Sequence, residues 1–461
     1  MSGRFRLEAA RELGRARGVD IELEQVLIGP DALDGLADTV LRLAGPGGVV
    51  TLEDATPMKA GDEDLKTAVN DLVASVIPTR RVVLGPEDGS LHVDQPTIDA
   101  ARTAAEGSGC IVSIGSGSIT DVGKEAARRT GAPLVAVQTA ASVNGFSDDM
   151  AVVLRDGVKR TVPSRSATAL VIDTRVLSSA PLALTRSGFA EMMGMFTAPA
   201  DWRLAGLAGH DTYEAEVVDL FRPQGDELLD SATPIGRGDP DGLLLLAELL
   251  TASGLAMTVA GRTAPLSGME HLISHLLDMS AAADGRAVGL HGSQVGVASL
   301  VAACLWKLVL DDIRPDDLAM DPPEPADMAD RIRRDFSEID PGGAMAIECW
   351  HDYETKLETW HQSVASRTEM AASWAKTETE LRSVAGDPAA MAKALASAGA
   401  PMRFSQLDPP IDPDRVRWAL ASCHLMRDRL TIADLAFFTG RWTEDYVEAV
   451  LEDAARLGGG L

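Results

Sequence analysis

Three histidines stand close together in the middle of the chain. His271, His275 and His291 lie in the stretches SGMEHLISHLLDM and LHGSQVG, and the whole sequence has only eight histidines. His271 and His275 are four residues apart, which places both imidazoles on one face of a helix, about one turn from each other. Neutral imidazole is a common zinc ligand, and a catalytic zinc needs three protein ligands and one open position. The spacing is compatible with a divalent metal site, although HxxxH pairs also occur in helices that bind nothing and this pair is not HExxH.

A second feature is the glycine turn in CIVSIGSGSITDVGKEAARRTGAPLVAV. The apolar run 111–114 predicts a strand, a helix is expected to begin near Ser118, and residues 134–137 predict the next strand. Glycines between a strand and a helix let the backbone approach a pyrophosphate, whose charge is favoured by the free N–H groups of the helix start. The spelling GSGSITD departs from GxGxxG, so a turn with a purely structural role is an equal alternative.

Charge and length exclude several classes of protein. A chain of 461 residues is long enough for two domains with sizeable cores. Its 42 Lys and Arg against 69 Asp and Glu give a net charge of −27. Such a surface repels phosphate backbones and anionic lipids, so we expect a small-molecule substrate and neither nucleic acid nor a membrane as a partner. The apolar stretches 243–259 and 295–310 contain Glu248 and Lys307, and we expect them to be core helices.

The cysteines and the N-terminus indicate the cytoplasm. The four cysteines are widely scattered and lack CxxC spacing, which is typical of reduced thiols rather than of a disulfide framework. The N-terminal stretch MSGRFRLEAARELGRARG is charged and has no apolar segment, so it does not read as a signal peptide.

The elements that must position these residues change in character near residue 180. Before it, short strand-like runs alternate with helical patterns at 32–43 and 97–105, which predicts a mostly parallel sheet covered by helices. After it, strand signals vanish and helices separated by Pro and Gly follow, with a surface loop expected at 314–325. We therefore predict an α/β nucleotide-binding domain over residues 1–180 and an all-α domain over residues 181–461. The predicted strands are 49–52, 81–84, 111–114, 134–137, 151–154 and 169–172.

Seven motifs in a fixed order connect these features to a family. They are GSGSITDVGK, VAVQTAASVNGFS, DGVKRTVPS, LVIDTRVL, GFAEMMGMFTAPADWRLA, EHLISH and LHGSQVGVA. With them the chain resembles the sn-glycerol-1-phosphate dehydrogenase branch of the iron-containing alcohol dehydrogenase and 3-dehydroquinate synthase superfamily. The resemblance implies a dehydroquinate synthase-like fold, in which a Rossmann-like domain with a mostly parallel sheet is followed by a helical metal-binding domain.

The resemblance also implies a role for individual residues. Glu191, His271 and His291 match the metal ligands of the family, with zinc as the first candidate and iron or nickel as alternatives. His275 matches a group that holds or relays a substrate proton. The other catalytic candidates are Asn144 and Lys159, the latter as a basic residue that could meet an anionic group. The implied NAD or NADP site consists of Gly117, Ser118, Ile119, Thr120 and Asp121 at the pyrophosphate turn and of Thr139, Ser142 and Asp148 at the border of the dinucleotide.

Several positions depart from the family pattern. Glu191 and Asn144 stand where the polyol dehydrogenases usually have aspartates, Asp148 where a serine is usual, and Ser293 where a glutamate follows the HisGly pair. These changes leave the substrate open. The first hypothesis is a homo-oligomeric, metal-dependent NAD(P)-linked dehydrogenase of a small polyol or its phosphate, with glycerol 1-phosphate and dihydroxyacetone phosphate as the first pair. The alternatives are an NAD- and metal-dependent cyclase or lyase of the sugar-phosphate cyclase type, and a non-catalytic binding protein on the same scaffold.

The preference between the two cofactors is predicted from the end of the second strand. Glu53 and Asp54 close that strand, where a carboxylate can bond a ribose 2′-hydroxyl and repel a 2′-phosphate. This pattern favours NAD over NADP.

Overall fold

The computed structural model describes residues 7–86, 91–155, 158–319 and 323–461. They form two compact units, and each is described separately. The first consists of Met1–Phe189 and Asp219–Arg262, and the second of Ala190–Val218 and Thr263–Leu461. The chain therefore leaves the first unit after residue 189 and returns to it at residue 219, so each unit consists of two separate stretches of sequence. The functional boundary predicted at residue 180 stays a prediction.

A six-stranded parallel sheet is the centre of the first unit. Its order is β1-β10-β7-β6-β2-β5, and all neighbouring pairs are parallel. Strands β6, β7 and β10 are buried along their whole length, as expected for parallel strands covered on both faces. The strands of the chain are β1 Gln25–Gly29, β2 Val49–Asp54, β3 Lys59–Ala60, β4 Glu63–Asp64, β5 Thr79–Leu84, β6 Cys110–Gly115, β7 Leu134–Gln138, β8 Met150–Arg155, β9 Val158–Pro163 and β10 Ala169–Asp173.

The six predicted strands are all present, and two longer strands were missed. These are β1 and β9. The run predicted at 151–154 is strand β8, which lies outside the parallel sheet because it pairs along its length with β9 in an antiparallel hairpin, from Met150 opposite Pro163 to Arg155 opposite Val158. Strand-like sequence therefore identified the segment but not its partner.

Helices of the first unit connect these strands. The pattern predicted at 32–43 forms a 3-10 helix, Ala32–Gly35, followed by α2, and the pattern at 97–105 forms α4. Helix α4 begins where the Asp94 side chain accepts a hydrogen bond from the Thr97 N–H. The helices are α1 Leu7–Ala16, α2 Leu36–Ala44, α3 Leu65–Ala74, α4 Gln95–Ala105, α5 Gly117–Thr130, α6 Thr174–Ser179, α7 Leu182–Glu191, α10 Gly225–Asp230, α11 Ala232–Arg237 and α12 Pro240–Ala260, with the 3-10 helix Arg222–Gln224; α7 ends inside the second unit.

In the part of the second unit that the structure describes, the regular secondary structure consists of helices. Its only strand-like feature there is an isolated bridge between Arg403 and Gly460. The stretch 314–325, predicted as a loop, contains the 3-10 helix Pro315–Ala319, while residues 320–322 lie outside the described part. The helices are α8 Ala198–Leu207, α9 Ala215–Val218, α13 Met269–Ala283, α14 His291–Asp312, α15 Pro325–Phe336, α16 Ala344–Gln362, α17 Val364–Ala372, α18 Trp374–Val384, α19 Pro388–Ala398, α20 Pro413–Ser422, α21 Ile432–Phe438 and α22 Glu444–Arg456, with 3-10 helices Met192–Phe196, Phe404–Gln406 and Cys423–Leu425.

Among the residues that the structure describes, two helices are long and apolar enough to cross a membrane by length and composition. They are α12 and α14, and 89% of the most apolar window of each is buried inside the protein. Burial of this extent is the pattern of core helices, which must be apolar on most faces because neighbouring elements surround them.

Candidate active site

Three helices of the chain bring one carboxylate and two imidazoles together in the second unit. Glu191 is the last residue of α7, His271 lies in the first turn of α13, and His291 begins α14. One ligand atom from each lies within 4.8 Å of the other two. The Nε2 atom of His271 is 3.4 Å from Oε1 of Glu191, and Nε2 of His291 is 3.8 Å from Oε2 of the same carboxylate. The three residues predicted as metal ligands therefore meet at one point.

The electrostatics of this cluster fit a cation. Burial raises the pKa of the Glu191 carboxyl, but the nearby His291 and His271 outweigh burial and lower it. Burial also lowers the pKa of His271, yet its hydrogen bonds to Glu191 and Glu270 raise that pKa to about 9. The Oε2 atom of Glu191 is buried and has no hydrogen-bond partner among the described residues. A buried carboxylate oxygen without a partner is costly, and a divalent metal would satisfy it with a donor set that leaves a coordination position open.

His275 stands beside this cluster as a third imidazole. Its ring centroid is 6.3 Å from that of His271 and 5.8 Å from that of His291. Burial lowers the pKa of His275 well below its ordinary value, and the charges of His291 and His271 lower it further. The structure thus holds a neutral imidazole next to the group of three ligand atoms, without including it in that group.

In the first unit, the predicted glycine turn joins β6 to α5. A Cβ atom on Gly115 would lie 2.9 Å from Cβ of Ile119, so this position requires a glycine. Helix α5 starts at Gly117, and the Ser116 side chain makes no capping hydrogen bond. The first N–H groups of a helix have no partner within it, and here they lie at the carboxyl end of β6. Thr120 donates both its backbone N–H and its hydroxyl to the Ser116 carbonyl, each at 3.1 Å, so the unengaged N–H groups of the turn are those before it.

Asp121 lies in the next turn of α5. Its Oδ2 atom accepts a hydrogen bond from the Val152 N–H at 3.1 Å. Burial raises the pKa of Asp121 to about 7, Lys124 opposes this shift, and the Asp148 charge adds to it. Near neutral pH this carboxyl group is therefore about half protonated.

The loop after β7 carries Thr139, Ser142 and Asn144. The Thr139 N–H donates to the carbonyl of Gly115 at 3.2 Å, which places the start of the loop beside the glycine turn. Two helix glycines pack closely against the backbone of this loop. A Cβ on Gly188 of α7 would collide with the Ala141 carbonyl, and a Cβ on Gly254 of α12 would lie 2.6 Å from the Asn144 carbonyl oxygen. Ser142 is buried, with 7% of its surface exposed.

Comparison with known proteins places the chain in a family. The model of the iron-containing alcohol dehydrogenase family matches residues 27–181. The glycerol-1-phosphate dehydrogenase [NAD(P)+] of Bacillus velezensis is 30% identical over 289 residues, which cover 62% of this chain and 72% of that protein. The enzyme of the same name from Haloquadratum walsbyi is 32% identical over 280 residues, covering 61% and 76%. This chain belongs to the iron-containing alcohol dehydrogenase family.

Longer matches extend the family likeness to the C-terminal residues. The glycerol-1-phosphate dehydrogenase [NAD(P)+] of Bacillus subtilis is 26% identical over 436 residues, covering 92% of this chain and 94% of that protein. The crystal structure of a probable glycerol dehydrogenase from Sinorhizobium meliloti has the same fold, with a TM-score of 0.59, 17% identity and coverage of 94% and 97%. The predicted family and fold class are confirmed, and the chain is an oxidoreductase of the alcohol dehydrogenase type.

Lys124 is a buried residue near the proposed nucleotide turn that the sequence analysis did not single out. It lies on α5 within the motif GSGSITDVGK and is fully buried. Its ammonium donates to Oδ1 of Asp148 at 2.5 Å and to the carbonyls of Gly145 and Met150 at 2.6 and 2.9 Å. Asp148, predicted at the border of the dinucleotide, thus has one oxygen engaged in holding the loop to α5. A lysine seven residues beyond the helix start was the available signal.

For the two remaining catalytic candidates, Asn144 and Lys159, the structure gives the position in the fold. Asn144 lies in the loop after β7, within the first unit. Lys159 lies on β9, with its backbone opposite Leu154, and its side chain falls outside what the structure describes.

The acidic residues at the end of β2 are already paired. Glu53 is 1% exposed, bonds the Arg81 guanidinium at 2.6 Å and accepts from the Asn70 amide at 2.9 Å. Asp54 accepts from the Lys66 ammonium at 2.5 Å and from the Thr56 hydroxyl at 3.0 Å. Because both carboxylates have internal partners, their charge gives no basis for preferring NAD to NADP.

Proposed function

We propose that the protein is a metal-dependent, NAD(P)-linked dehydrogenase that reduces dihydroxyacetone phosphate to glycerol 1-phosphate and catalyses the reverse oxidation. The observation that carries this proposal is the convergence of Glu191, His271 and His291 within 4.8 Å. It occurs in a chain whose relatives of 30% and 32% identity are named glycerol-1-phosphate dehydrogenases. The chemistry of the three donors supports the activity that the relatives' names suggest.

The metal ligands of this proposal are Glu191, His271 and His291. Zn²⁺ is the first candidate, because a carboxylate and imidazoles suit it, and Fe²⁺ or Ni²⁺ are alternatives. When bound, the metal would supply a Lewis acid to the oxygen of the reacting carbonyl or alcohol. The negative charge of Glu191 partly offsets the charge of the cation, and the buried position of the carboxylate excludes water from that side.

His275 is proposed as the proton-handling group. Reduction adds a hydride from the nicotinamide to the carbonyl carbon, and a proton must then reach the oxygen. A neutral imidazole can donate one proton and take up another from solvent, which is the behaviour needed for a relay. The lowered pKa of His275 supports this role. An imidazole that stays neutral has one N–H to donate and one nitrogen lone pair to accept a proton, as both reduction and oxidation require. Asn144 is proposed as a polar contact of the reacting hydroxyl.

The nucleotide site is proposed at the start of α5. The free N–H groups of Gly117, Ser118 and Ile119 would bond the pyrophosphate, with Thr120 and Asp121 completing the first turns. Thr139, Ser142 and Asp148 would border the dinucleotide. Both NAD and NADP are proposed as cofactors, and Lys159 is proposed to meet the phosphate of the substrate.

Residues 1–180 are proposed as the nucleotide domain and residues 181–461 as the metal and substrate domain. We propose that the protein acts in the cytoplasm as a homo-oligomer. The cytoplasmic location is supported by four cysteines that are all buried and free.

A substrate comparison tests this function. The purified protein with Zn²⁺ is mixed with NADH or NADPH and either dihydroxyacetone phosphate or free dihydroxyacetone, and cofactor oxidation is followed by absorbance. We expect oxidation with the phosphate ester to exceed that with the free ketone, and the product to be the 1-phosphate enantiomer of glycerol phosphate. Absence of oxidation by a protein that demonstrably contains metal and binds NADH would contradict the proposal. Consumption of a sugar phosphate without net cofactor turnover would instead favour the cyclase alternative.

A further inference from the structure

Glu270 stands immediately before the metal-ligand candidate His271 and is completely buried. Its Oε1 atom is 2.9 Å from Nδ1 of His271 and accepts the Gly268 N–H at 2.6 Å. Its Oε2 atom accepts the Thr197 hydroxyl at 2.8 Å. The Glu270 carboxylate therefore acts as an acceptor in each of these hydrogen bonds.

These contacts assign the tautomer of His271. A carboxylate that accepts at Oε1 requires the imidazole proton on Nδ1. The other ring nitrogen, Nε2, then carries a free lone pair once the imidazole is neutral. This Nε2 is the atom that lies 3.4 Å from Glu191. Glu270 thus selects the nitrogen that faces the cluster.

His291 of α14 is oriented by an uncharged side chain, Ser274, which lies on α13 like Glu270. The hydroxyl of Ser274 lies 3.2 Å from Nδ1 of His291 and donates its only proton to Oε1 of Gln294 at 2.9 Å. The hydroxyl can therefore only accept from Nδ1, so Nε2 of His291 is again directed to Glu191. The amide of Gln294 is oriented in turn by Asp278, whose Oδ1 accepts from it at 3.1 Å.

The start of α13 is fixed independently of a metal. One oxygen of Asp201 accepts the Met269 N–H at 2.8 Å, and the other accepts the Ile432 N–H at 2.9 Å. A Cβ on Gly268 would lie 2.5 Å from Asp201 Oδ2 and 3.0 Å from Glu270 Oε2, so a larger residue does not fit there. The carboxylate of Glu270 is consequently held at one position relative to His271.

We propose that Glu270 is the positioning residue of the metal centre, holding His271 in the tautomer and orientation whose Nε2 binds the cation. This inference depends on the metal site of the proposed function. A carboxylate behind a metal-bound imidazole fixes the ring and increases its basicity, and loss of such a partner typically weakens metal binding by about 10- to 100-fold. Glu270 is not among the three residues whose ligand atoms lie within 4.8 Å of one another, and its oxygens accept from the groups named above.

The test measures the dissociation constant for Zn²⁺ by competition with a chromophoric chelator. Glu270→Gln keeps an acceptor for Nδ1 but removes the charge, and we expect it to bind Zn²⁺ about 10-fold more weakly than the wild type. Glu270→Leu removes the acceptor as well, and we expect a loss of about 100-fold. The matched control is Glu125→Gln, which changes a buried glutamate of the first unit that pairs with Arg128, and it should leave Zn²⁺ affinity unchanged.

Thermal unfolding of the metal-free variants separates positioning from a general structural role. Positioning predicts that Glu270→Gln melts at the wild-type temperature without metal and differs only in Zn²⁺ affinity. If Glu270→Leu does not fold, Glu270→Gln alone carries the comparison. Wild-type affinity in Glu270→Gln and in any folded Glu270→Leu overturns the positioning role and leaves the metal site intact. A wild-type protein that binds none of Zn²⁺, Fe²⁺ and Ni²⁺ overturns the metal site and this inference together.

Discussion

The ammonium of Lys124 lies 2.5 Å from the carboxylate of Asp148, and both side chains are buried. Lys124 belongs to α5, which begins at the glycine turn, whereas Asp148 belongs to the loop after β7. Carbonyl groups of Gly145 and Met150 accept the other two ammonium protons. The pair therefore joins the two segments proposed to bind the nucleotide, with each lysine proton satisfied.

Replacing Lys124 by Met should destabilise the protein strongly. The substitution leaves the Asp148 carboxylate buried without its counter-charge, and breaking a buried pair in this way costs about 3–5 kcal/mol. Urea unfolding measures the loss. The control is Lys307→Met, which removes an exposed pair with Asp311 and should cost about 0–1 kcal/mol. Similar losses in the two variants would show that the buried pair has no special importance.

Metal content should depend on His271 and His291 individually. Replacing either imidazole by Ala leaves two ligands, too few for a catalytic site of three protein donors. We expect elemental analysis of the purified His271→Ala and His291→Ala proteins to show loss of metal, with His361→Ala, an exposed histidine on α16, as the control. Full occupancy in either single variant would remove that residue from the site.

His275 should behave differently from its neighbour one turn earlier. Because it is proposed to handle a proton and not to bind the cation, His275→Ala should keep the metal and lose about 10²- to 10⁴-fold in activity. Steady-state kinetics and elemental analysis on the same preparation decide the point. Loss of metal from this variant would be incompatible with the proposed division of roles.

Nucleotide affinity should fall as the pH rises through about 7. Burial raises the pKa of Asp121 to about 7, so this carboxyl is neutral below that pH and negative above it. An anion there repels the pyrophosphate. In water two charges about 4 Å apart repel by about 1 kcal/mol, and a buried carboxylate is screened less, so we expect a loss of at least about fivefold in affinity. Titration of NAD binding at about pH 6 and about pH 8 would measure it. The Asp121→Asn variant should lack the step, and the same pH dependence in that variant would assign it to another group.

Runs of apolar residues predicted most strands of the sheet. They did not predict the strands that are less apolar. Residues 134–137 are all buried, and such runs identify central strands because both faces are covered. Strand β1, at the edge of the sheet, is only partly buried over most of its length, and β9 carries Lys159 and Arg160, so neither has that signal. The Asp-Gly pair at 156–157 is a typical hairpin sequence that could have predicted β9.

At the candidate site, spacing placed His271 and His275 on one helix face, and the motif resemblance named Glu191 and His291 as their partners. Spacing by itself could not separate the two neighbouring histidines. Packing of α7, α13 and α14 brings His271, His291 and Glu191 within 4.8 Å and leaves His275 outside that group. The separation of 80 residues between Glu191 and His271 shows why no local pattern could establish their contact.

The sequence by itself determined the family, most of the strands, the change from strands to helices and the residue types available for chemistry, because apolar periodicity and motif order are properties of neighbouring residues. Only the tertiary structure decided which charges are paired. Glu53 and Asp54 looked available for a ribose, but Arg81 and Lys66 occupy them. No sequence signal singled out Glu270, whose carboxylate lies 2.9 Å from Nδ1 of His271. The pKa and the hydrogen-bonding state of a side chain depend on groups a few ångströms away, and folding brings those groups from distant parts of the chain.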